Sequence, residues 1–134
     1  MTEKIKILFA NDAFYLAFQN SDIGAMTNLW ANRDDISCIH PGWNHLSGRD
    51  LVLASWEEIL SSKNTPNFEV RGASVNIYKN TAIVICYEVF EKICLVATNT
   101  FITENNEWRI IHHQSSASPP PEIIDDTEAI KTLQ

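Results

Sequence analysis

The chain has 134 residues, of which 45% are hydrophobic and 20% are charged, so it can form one domain with its own core. A formal net charge of -7 and a sequence pI of about 4.9 exclude the basic surface that is typical of nucleic-acid-binding proteins. We therefore expect no nucleic acid as a partner, and no anionic membrane surface either.

The chain also carries no pattern typical of export or membrane insertion. Its first residues, MTEKIKILFAND, lack the cationic start, apolar stretch and cleavage site of a signal peptide, and no apolar run is long enough to span a bilayer. Three cysteines, none in a C-x-x-C arrangement, cannot all pair within one chain. We expect a cytoplasmic protein with reduced thiols at Cys38, Cys86 and Cys94.

The first half of the chain has helical periodicity. Apolar residues recur at helical spacing from Ile5 onward, and Phe14 and Phe18 add a second stripe, which predicts a first helix buried on two sides. Asn20, Ser21 and Asp22 end this helix and can cap a second one. The predicted elements in chain order are helix 5–18, helix 23–30, a short strand at 36–40 ended by Pro41-Gly42, a third helix from 47–50 to 60, and a polar loop at 61–66.

The second half is rich in Val, Ile, Thr and aromatic residues, which favours strands. Predicted strands cover 68–78, 81–91, 93–103 and 108–116, with a tight turn at 79–80 and a polar loop at 104–107. We expect one domain at 1–117 and a Pro-rich, acidic tail at 118–134. Three helices followed by an antiparallel meander predict an α+β fold, a curved sheet with the helices on its concave side, and such a shape often encloses a ligand cavity.

Two stretches, LWANRDDISCIHPGWNHLSGRDLVLASWEEIL and TNTFITENNEWRIIHHQSS, resemble the SnoaL-like branch of the nuclear transport factor 2-like superfamily. The resemblance covers residues 8–117. It implies a cone-shaped α+β fold and frequent dimerisation through the sheet. It is less specific for function, because the fold occurs in isomerases, cyclases, dehydratases, binding modules and assembly domains.

Strand alternation divides the side chains between two faces, and the resemblance indicates which face is concave. The concave sets expected on the last three strands are Ala82, Val84, Cys86 and Glu88; Ala97, Asn99 and Phe101; and Trp108, Ile110, His112, Gln114 and Ser116. The same alternation assigns Arg109, Ile111, His113 and Ser115 to the outer face. Arg71 is a candidate cation for Glu88, and we expect Glu88 to matter more for function than His113.

The candidate site combines these strands with the helical side of the cone. His40, Asn99 and His112 are the candidate catalytic residues. The candidate ligand-binding residues are Trp30, Trp43, Trp56, Cys86, Glu88 and Phe101. The spacing of Trp30 and Trp56 favours core packing over a role in ligand binding. His112 can be a hydrogen-bonded structural histidine, and Trp43 can line the pocket or only follow the Pro-Gly turn. We expect no metal and no cofactor, because metal-ligand spacings and Gly-rich phosphate loops are absent.

A comparison with ketosteroid isomerases of the same superfamily assigns His40 to the position of their general base and Asn99 to that of an oxyanion-binding aspartic acid. Phe14 matches their oxyanion-binding tyrosine, and Tyr15 is displaced by about 100° around a helix, so we expect that it does not substitute. Steroid isomerisation by the known route is therefore not predicted.

The resulting hypothesis is a homodimeric domain that binds a small apolar ligand and that can perform isomerase-like, cyclase-like or other proton-transfer chemistry on a carbonyl compound. One alternative is a non-catalytic association module, because the last strands also resemble the association domain of calmodulin-dependent kinases. Another is passive binding of an apolar ligand, which requires Trp43 but not His40.

Overall fold

The computed structural model describes residues 1–62 and 67–121. Its elements are α1 (Glu3–Gln19), α2 (Ile23–Leu29), β1 (Ser37–Ile39), β2 (Leu46–Ser47), α3 (Arg49–Leu60), β3 (Glu69–Tyr78), β4 (Thr81–Val89), β5 (Cys94–Glu104) and β6 (Glu107–Ser118). The predicted order of three helices followed by long strands is confirmed. Residues 63–66 of the predicted polar loop and 122–134 of the predicted tail lie outside the described residues.

Two helices begin at side chains that cap their free N–H groups. Oγ1 of Thr2 accepts from the backbone N–H of Ile5 at 3.2 Å, and Oδ1 of Asp22 accepts from the backbone N–H of Ala25 at 3.0 Å. Of the three residues predicted to cap α2, which are Asn20, Ser21 and Asp22, the N-cap is Asp22. None of the helices in the described part of the chain is both long and apolar enough to cross a membrane.

The six strands form one sheet in the order β2-β1-β6-β5-β4-β3. Neighbouring strands are antiparallel except for β1 and β6, which run parallel. The two-residue strand β2 was not predicted, because a run of two residues carries no recognisable alternation. Its pairing with β1 holds the segment after His40 against the sheet.

Strand β6 contains one extra residue relative to β5. Thr100 pairs with His112, whereas the next residue, Phe101, pairs with Ile110. Ile111 is therefore a β-bulge without a partner of its own. Because side chains alternate strictly along a regular strand, one extra residue exchanges the two faces beyond it.

The bulge overturns the predicted faces of the last part of β6. His113 and Ser115 are buried on the concave side, whereas Gln114 and Ser116 are exposed and His112 is half-buried. The prediction that His112 shares the concave face with Trp108 is therefore wrong, as is the assignment of His113 to the outer face. Alternation before the bulge holds, since Trp108 and Ile110 are buried.

The core fills the space between the concave face of the sheet and the helices. The predicted inward sets on β4 and β5 are confirmed, because all of their members are buried: Ala82, Val84, Cys86, Glu88, Ala97, Asn99 and Phe101. Phe14 from α1 and Trp56 from α3 are the largest helical contributions to this part of the core. The concave side is therefore mainly apolar, with a few polar side chains embedded in it.

Candidate functional site

Glu88 lies on the concave face of β4 and is only 3% exposed. Tyr15 donates its hydroxyl proton to Oε2 at 2.7 Å, and Ser115 donates to Oε1 at 2.8 Å. Ser115 reaches Glu88 from two strands away because Ala97, its neighbour on the intervening strand, has a small side chain. Arg71, the expected partner, instead forms an ion pair with Glu69. Burial raises the pKa of Glu88, and the two hydroxyl donors partly offset that rise.

Asn99 joins this carboxylate to a histidine. Nδ2 of Asn99 donates to Oδ1 of Asn11 at 2.8 Å and to the hydroxyl oxygen of Tyr15 at 3.2 Å. Its Oδ1 lies 2.5 Å from Nδ1 of His113. Asn11 and Asn99 are completely buried, so every polar atom of the Asn99 side chain is paired inside the protein, as buried amides require.

Cys86 lies beside this network. Its Sγ is 3.4 Å from the hydroxyl oxygen of Tyr15 and 3.9 Å from Nδ2 of Asn11. Burial raises the pKa of Cys86 to about 11, so the side chain is a neutral thiol. Its sulfur accepts weak hydrogen bonds from the amide groups of Asn11 and Asn99.

His40 follows strand β1 directly and is also buried, at 3% exposure. Its Nε2 lies 2.8 Å from Oγ of Ser55 on helix α3. That hydroxyl donates its only proton to the carbonyl oxygen of Val52 at 2.6 Å, so Nε2 of His40 must carry the proton and donate. Nδ1 of His40 is then an unprotonated acceptor. Burial lowers the pKa of His40 to about 4, which keeps the ring neutral at neutral pH.

Trp56 packs against both histidines. Its ring centroid lies 4.7 Å from that of His40 and 5.7 Å from that of His113, and it makes an edge contact with Phe14 at 5.4 Å. Its buried Nε1–H has no hydrogen-bond partner at bonding distance. Burial raises the pKa of the Cys38 thiol to about 12, and a weak interaction with the Trp56 side chain partly offsets that rise. A buried donor without an acceptor is unusual, and it is available to an oxygen atom of a ligand.

Trp43 lies on the outer side of His40. The two ring centroids are 4.8 Å apart, and the indole is 39% exposed. The turn that carries Trp43 contains Gly42 in the left-handed region, with φ +81° and open space where a Cβ would lie. Trp43 therefore covers the imidazole from the solvent side, and it does not line an interior wall.

The remaining predicted site residues lie apart from this cluster. His112 faces away from the concave side and shares a 2.7 Å hydrogen bond with Ser37. Trp30 and Phe101 are buried, and each of them pairs with Ile110, which precedes the bulge in β6. The structure thus brings together Cys86, Glu88 and Asn99, and, through His113 and Trp56, connects them to His40 and Trp43.

Five polar residues of the cluster were not among the predicted site residues: Asn11, Tyr15, Ser55, His113 and Ser115. For Asn11 and Tyr15 a signal existed, because they are four residues apart on the same face of α1 as the apolar Ile7. Ser55 carried a similar signal, since it lies next to Trp56 on the buried side of α3. The two residues on β6 could not be identified without knowledge of the bulge.

Tyr15, which the sequence does not predict as a substitute for the oxyanion-binding tyrosine, nevertheless lies beside Asn99 in the structure. Phe14 and Tyr15 are 0% and 3% exposed, so α1 buries a face wide enough for two consecutive residues. The phenol is long enough to bring its hydroxyl to Asn99, although its Cα is rotated about 100° from that of Phe14.

His113 is also a neutral side chain at neutral pH. Burial, followed by the charges of His40 and His112, lowers its pKa to about 3. Within residues 1–62 and 67–121, no group of three or more His, Cys, Asp or Glu side chains is arranged to hold a metal ion. Because both imidazoles are neutral, His40 and His113 each offer an unprotonated nitrogen as an acceptor, and Trp56 offers its indole N–H as a donor.

Comparisons with known proteins agree with this fold. The family model of the SnoaL-like domain matches residues 7–120. The F-box protein SKIP8 of Arabidopsis thaliana is 28% identical over 126 residues, which are 92% of this chain and 53% of that protein. The chain thus spans about half the length of this curated relative.

Solved structures show the same fold. A candidate dehydratase of the nuclear transport factor 2-like family from Streptomyces avermitilis superposes with a TM-score of 0.80 at 29% identity, covering 87% of this chain and 96% of that one. A candidate calcium/calmodulin-dependent protein kinase type II association domain from Thiobacillus denitrificans has a TM-score of 0.72 at 28% identity, with coverages of 82% and 93%. A candidate ketosteroid isomerase from Parabacteroides distasonis, at 16% identity and a TM-score of 0.70, shares the fold, with coverages of 89% and 90%. With its three helices, its curved sheet and a family match over nearly its whole length, the chain belongs to the SnoaL-like domain family.

Proposed function

We propose that this domain binds a small apolar carbonyl compound beside Trp56 and removes a proton from the carbon next to the carbonyl group. The observation that carries the proposal is the state of His40. Its Nε2 is held by Ser55 and its Nδ1 is an unprotonated base in an apolar environment. A neutral imidazole with a low pKa keeps its lone pair available across the physiological range.

The indole N–H of Trp56 supplies the complementary group. It is a buried donor without a partner, next to His40, and it can donate to the carbonyl oxygen as negative charge develops there. Asn99 was the expected donor, but both of its N–H groups already bind Asn11 and Tyr15. Its proposed role is therefore to hold the neighbouring side chains, and His112, on the other face, has no role in this step.

The overall reaction that fits this step is an isomerisation or the loss of water from a hydroxyl-bearing carbonyl compound. Both begin with proton removal next to a carbonyl group. The 29% identical candidate dehydratase supports the second. The ligand would enter beside Trp43, which covers His40 and is itself partly exposed.

The test uses a panel of apolar ketones and hydroxy ketones in heavy water. NMR measures how fast the proton on the carbon next to the carbonyl group is exchanged for deuterium. The wild-type protein should accelerate exchange for at least one compound. His40→Gln should reduce the rate about 100-fold or more, the usual contribution of a general base. His45→Gln is the matched control, because His45 is an exposed histidine on the same loop. Equal rates for wild type and His40→Gln would overturn the role of His40.

A second candidate function is association through the convex face of the sheet. Outward-facing residues of β4 and β5 include Ile83, Ile85, Tyr87 and Val96, and Ile85 is 40% exposed. The 28% identical candidate association domain favours this reading, which does not exclude catalysis. We propose a homodimer through this face. Light scattering should give twice the monomer mass for the wild type and the monomer mass for Ile85→Lys, and a monomeric wild type would contradict it.

We also propose a cytoplasmic location, supported by three free and buried cysteines, Cys38, Cys86 and Cys94. Localisation of a tagged full-length protein in its native cell tests this proposal.

A further inference from the structure

Four buried side chains form a continuous hydrogen-bonded chain from the carboxylate of Glu88 to the imidazole of His113. The links are Tyr15 to Glu88 at 2.7 Å, Asn99 to Tyr15 at 3.2 Å, and His113 to Asn99 at 2.5 Å. All four side chains are no more than 3% exposed. We call these four residues the Glu88–His113 relay.

The direction of every hydrogen bond in the relay follows from its first member. Both oxygens of Glu88 accept from hydroxyl groups, Oε2 from Tyr15 and Oε1 from Ser115. A tyrosine hydroxyl has one proton, so its oxygen can then only accept from the next residue. Asn99 must therefore turn its NH2 group toward Tyr15, and Oδ1 of Asn11 accepts from the same group.

That orientation decides which nitrogen of His113 is protonated. With the NH2 group of Asn99 directed to Tyr15 and Asn11, its carbonyl oxygen faces Nδ1 of His113 and requires a proton there. A neutral imidazole has one N–H, so Nε2 is left as an unprotonated acceptor directed away from Asn99. Rings of Phe14, Trp56 and His40 surround the imidazole, at centroid distances of 5.0, 5.7 and 6.4 Å.

We propose that Glu88 is a positioning residue that sets the tautomer of His113 through Tyr15 and Asn99, so that His113 presents an unprotonated Nε2 as the acceptor for a hydroxyl group of the ligand. This use of Nε2 rests on the function proposed above. It narrows the ligand class to carbonyl compounds that also carry a hydroxyl group, with the carbonyl oxygen at the indole N–H of Trp56.

The tautomer can be measured without any ligand or turnover. Long-range 1H–15N correlation spectra of the full chain, labelled with 15N, distinguish a protonated from an unprotonated ring nitrogen, and His113→Gln identifies the signals of His113. In the wild type we expect a proton on Nδ1 and none on Nε2. A proton on Nε2 in the wild type would overturn the proposal.

Two variants break the relay at different points. Tyr15→Phe removes the hydroxyl group that connects Glu88 to Asn99, so Asn11 and Asn99 can turn together and the population with the proton on Nδ1 should fall. Glu88→Gln replaces an acceptor-only group by one that can also donate to Tyr15, and we expect the same fall in the population with the proton on Nδ1. This variant tests the relay if Tyr15→Phe does not fold. Unchanged spectra of His113 in the folded variants would contradict control by Glu88.

Ser115→Ala is the matched control. It removes the other hydroxyl group bound to Glu88 but leaves the path through Tyr15 complete, so the tautomer of His113 should not change. A change as large as that in Tyr15→Phe would indicate general loosening of the core and would count against the relay. The two proposals fail separately: no deuterium exchange with a normal tautomer pattern rejects the proposed reaction alone, whereas exchange with a protonated Nε2 rejects the relay alone.

For hydroxyl recognition, the probes are a hydroxy ketone and the parent ketone from the exchange panel, compared by their dissociation constants. We expect the hydroxy ketone to bind more tightly to the wild type, and that preference to be lost in Tyr15→Phe or Glu88→Gln. Equal affinity of the wild type for the two compounds would overturn the assignment of Nε2 as a hydroxyl acceptor.

Discussion

Nδ1 of His113 lies 2.5 Å from Oδ1 of Asn99, and the two residues are direct partners in the pairing of β5 with β6. The hydrogen bond therefore depends on the register of these strands, and the bulge at Ile111 creates that register. A histidine without a nearby carboxylate gains no stabilisation of its charged form, which agrees with the low pKa of His113.

Replacing the amide by a carboxylate should reverse this effect. In Asn99→Asp, we expect the pKa of His113 to rise from about 3 by roughly 1 to 3 units, because an opposite charge next to Nδ1 favours the imidazolium. An NMR titration of the ring protons measures the change. Thr98→Asp, on the outward side of the same strand, is the control and should leave the titration of His113 nearly unchanged.

The two buried histidines should make the protein sensitive to acid. Their folded pKa values, about 4 for His40 and about 3 for His113, lie below the ordinary value of 6.5. At pH values between 6.5 and these folded pKa values, the unfolded state therefore binds more protons than the folded state. The stabilisation is fully present above pH 6.5 and is lost as pH falls through that window. Glu88, whose pKa is raised, acts in the opposite sense and offsets part of the loss.

Urea unfolding at several pH values measures this dependence, in which each unit of pKa difference corresponds to about 1.4 kcal/mol. His113→Gln should show a smaller loss of unfolding free energy on acidification than the wild type. His45→Gln, which changes an exposed histidine, should follow the wild-type curve. An identical pH dependence for His113→Gln and wild type would mean that the low pKa of His113 does not contribute.

Trp43 should control how deeply His40 is buried. In Trp43→Ala we expect the pKa of His40 to rise from about 4 toward 6.5, because water reaches the imidazole once the indole is removed. Stability should fall by less than for a fully buried tryptophan, since Trp43 is 39% exposed. An NMR titration of His40 decides the matter, with Leu51→Ala as an exposed apolar control.

Trp56→Phe tests the proposed oxygen-binding donor. The substitution retains an aromatic ring but removes Nε1–H, which has no hydrogen-bond partner to lose. We expect a loss of about 1 to 3 kcal/mol in unfolding free energy from the reduced volume, and a fall of about tenfold or more in the deuterium-exchange rate. Phe18→Leu is a packing control, because Phe18 contacts Trp56 without presenting a polar group. Equal exchange rates in Trp56→Phe and Phe18→Leu would remove the indole from the mechanism.

The regular parts of the fold could be predicted from the sequence because their signals are local. The capping residues before α2 and the alternation along β4 and β5 involve residues close in the chain, so local sequence patterns located them. The resemblance of two stretches to SnoaL-like proteins indicated which face is concave. The family match over residues 7–120 confirms that resemblance.

The composition of the site depended on contacts between distant residues. Whether His112 or His113 faces inward is decided at Ile111, where β6 carries one residue more than β5, and a bulge has no reliable mark in a single strand. The depth at which α1 is buried, and with it the place of Tyr15, follows from how far the helix sinks into the curved sheet. The sequence by itself determined the order of the elements and the polar residues available to them. Only the tertiary structure decided which of those residues meet, because that depends on strand register and helix depth, and neither is encoded in local periodicity.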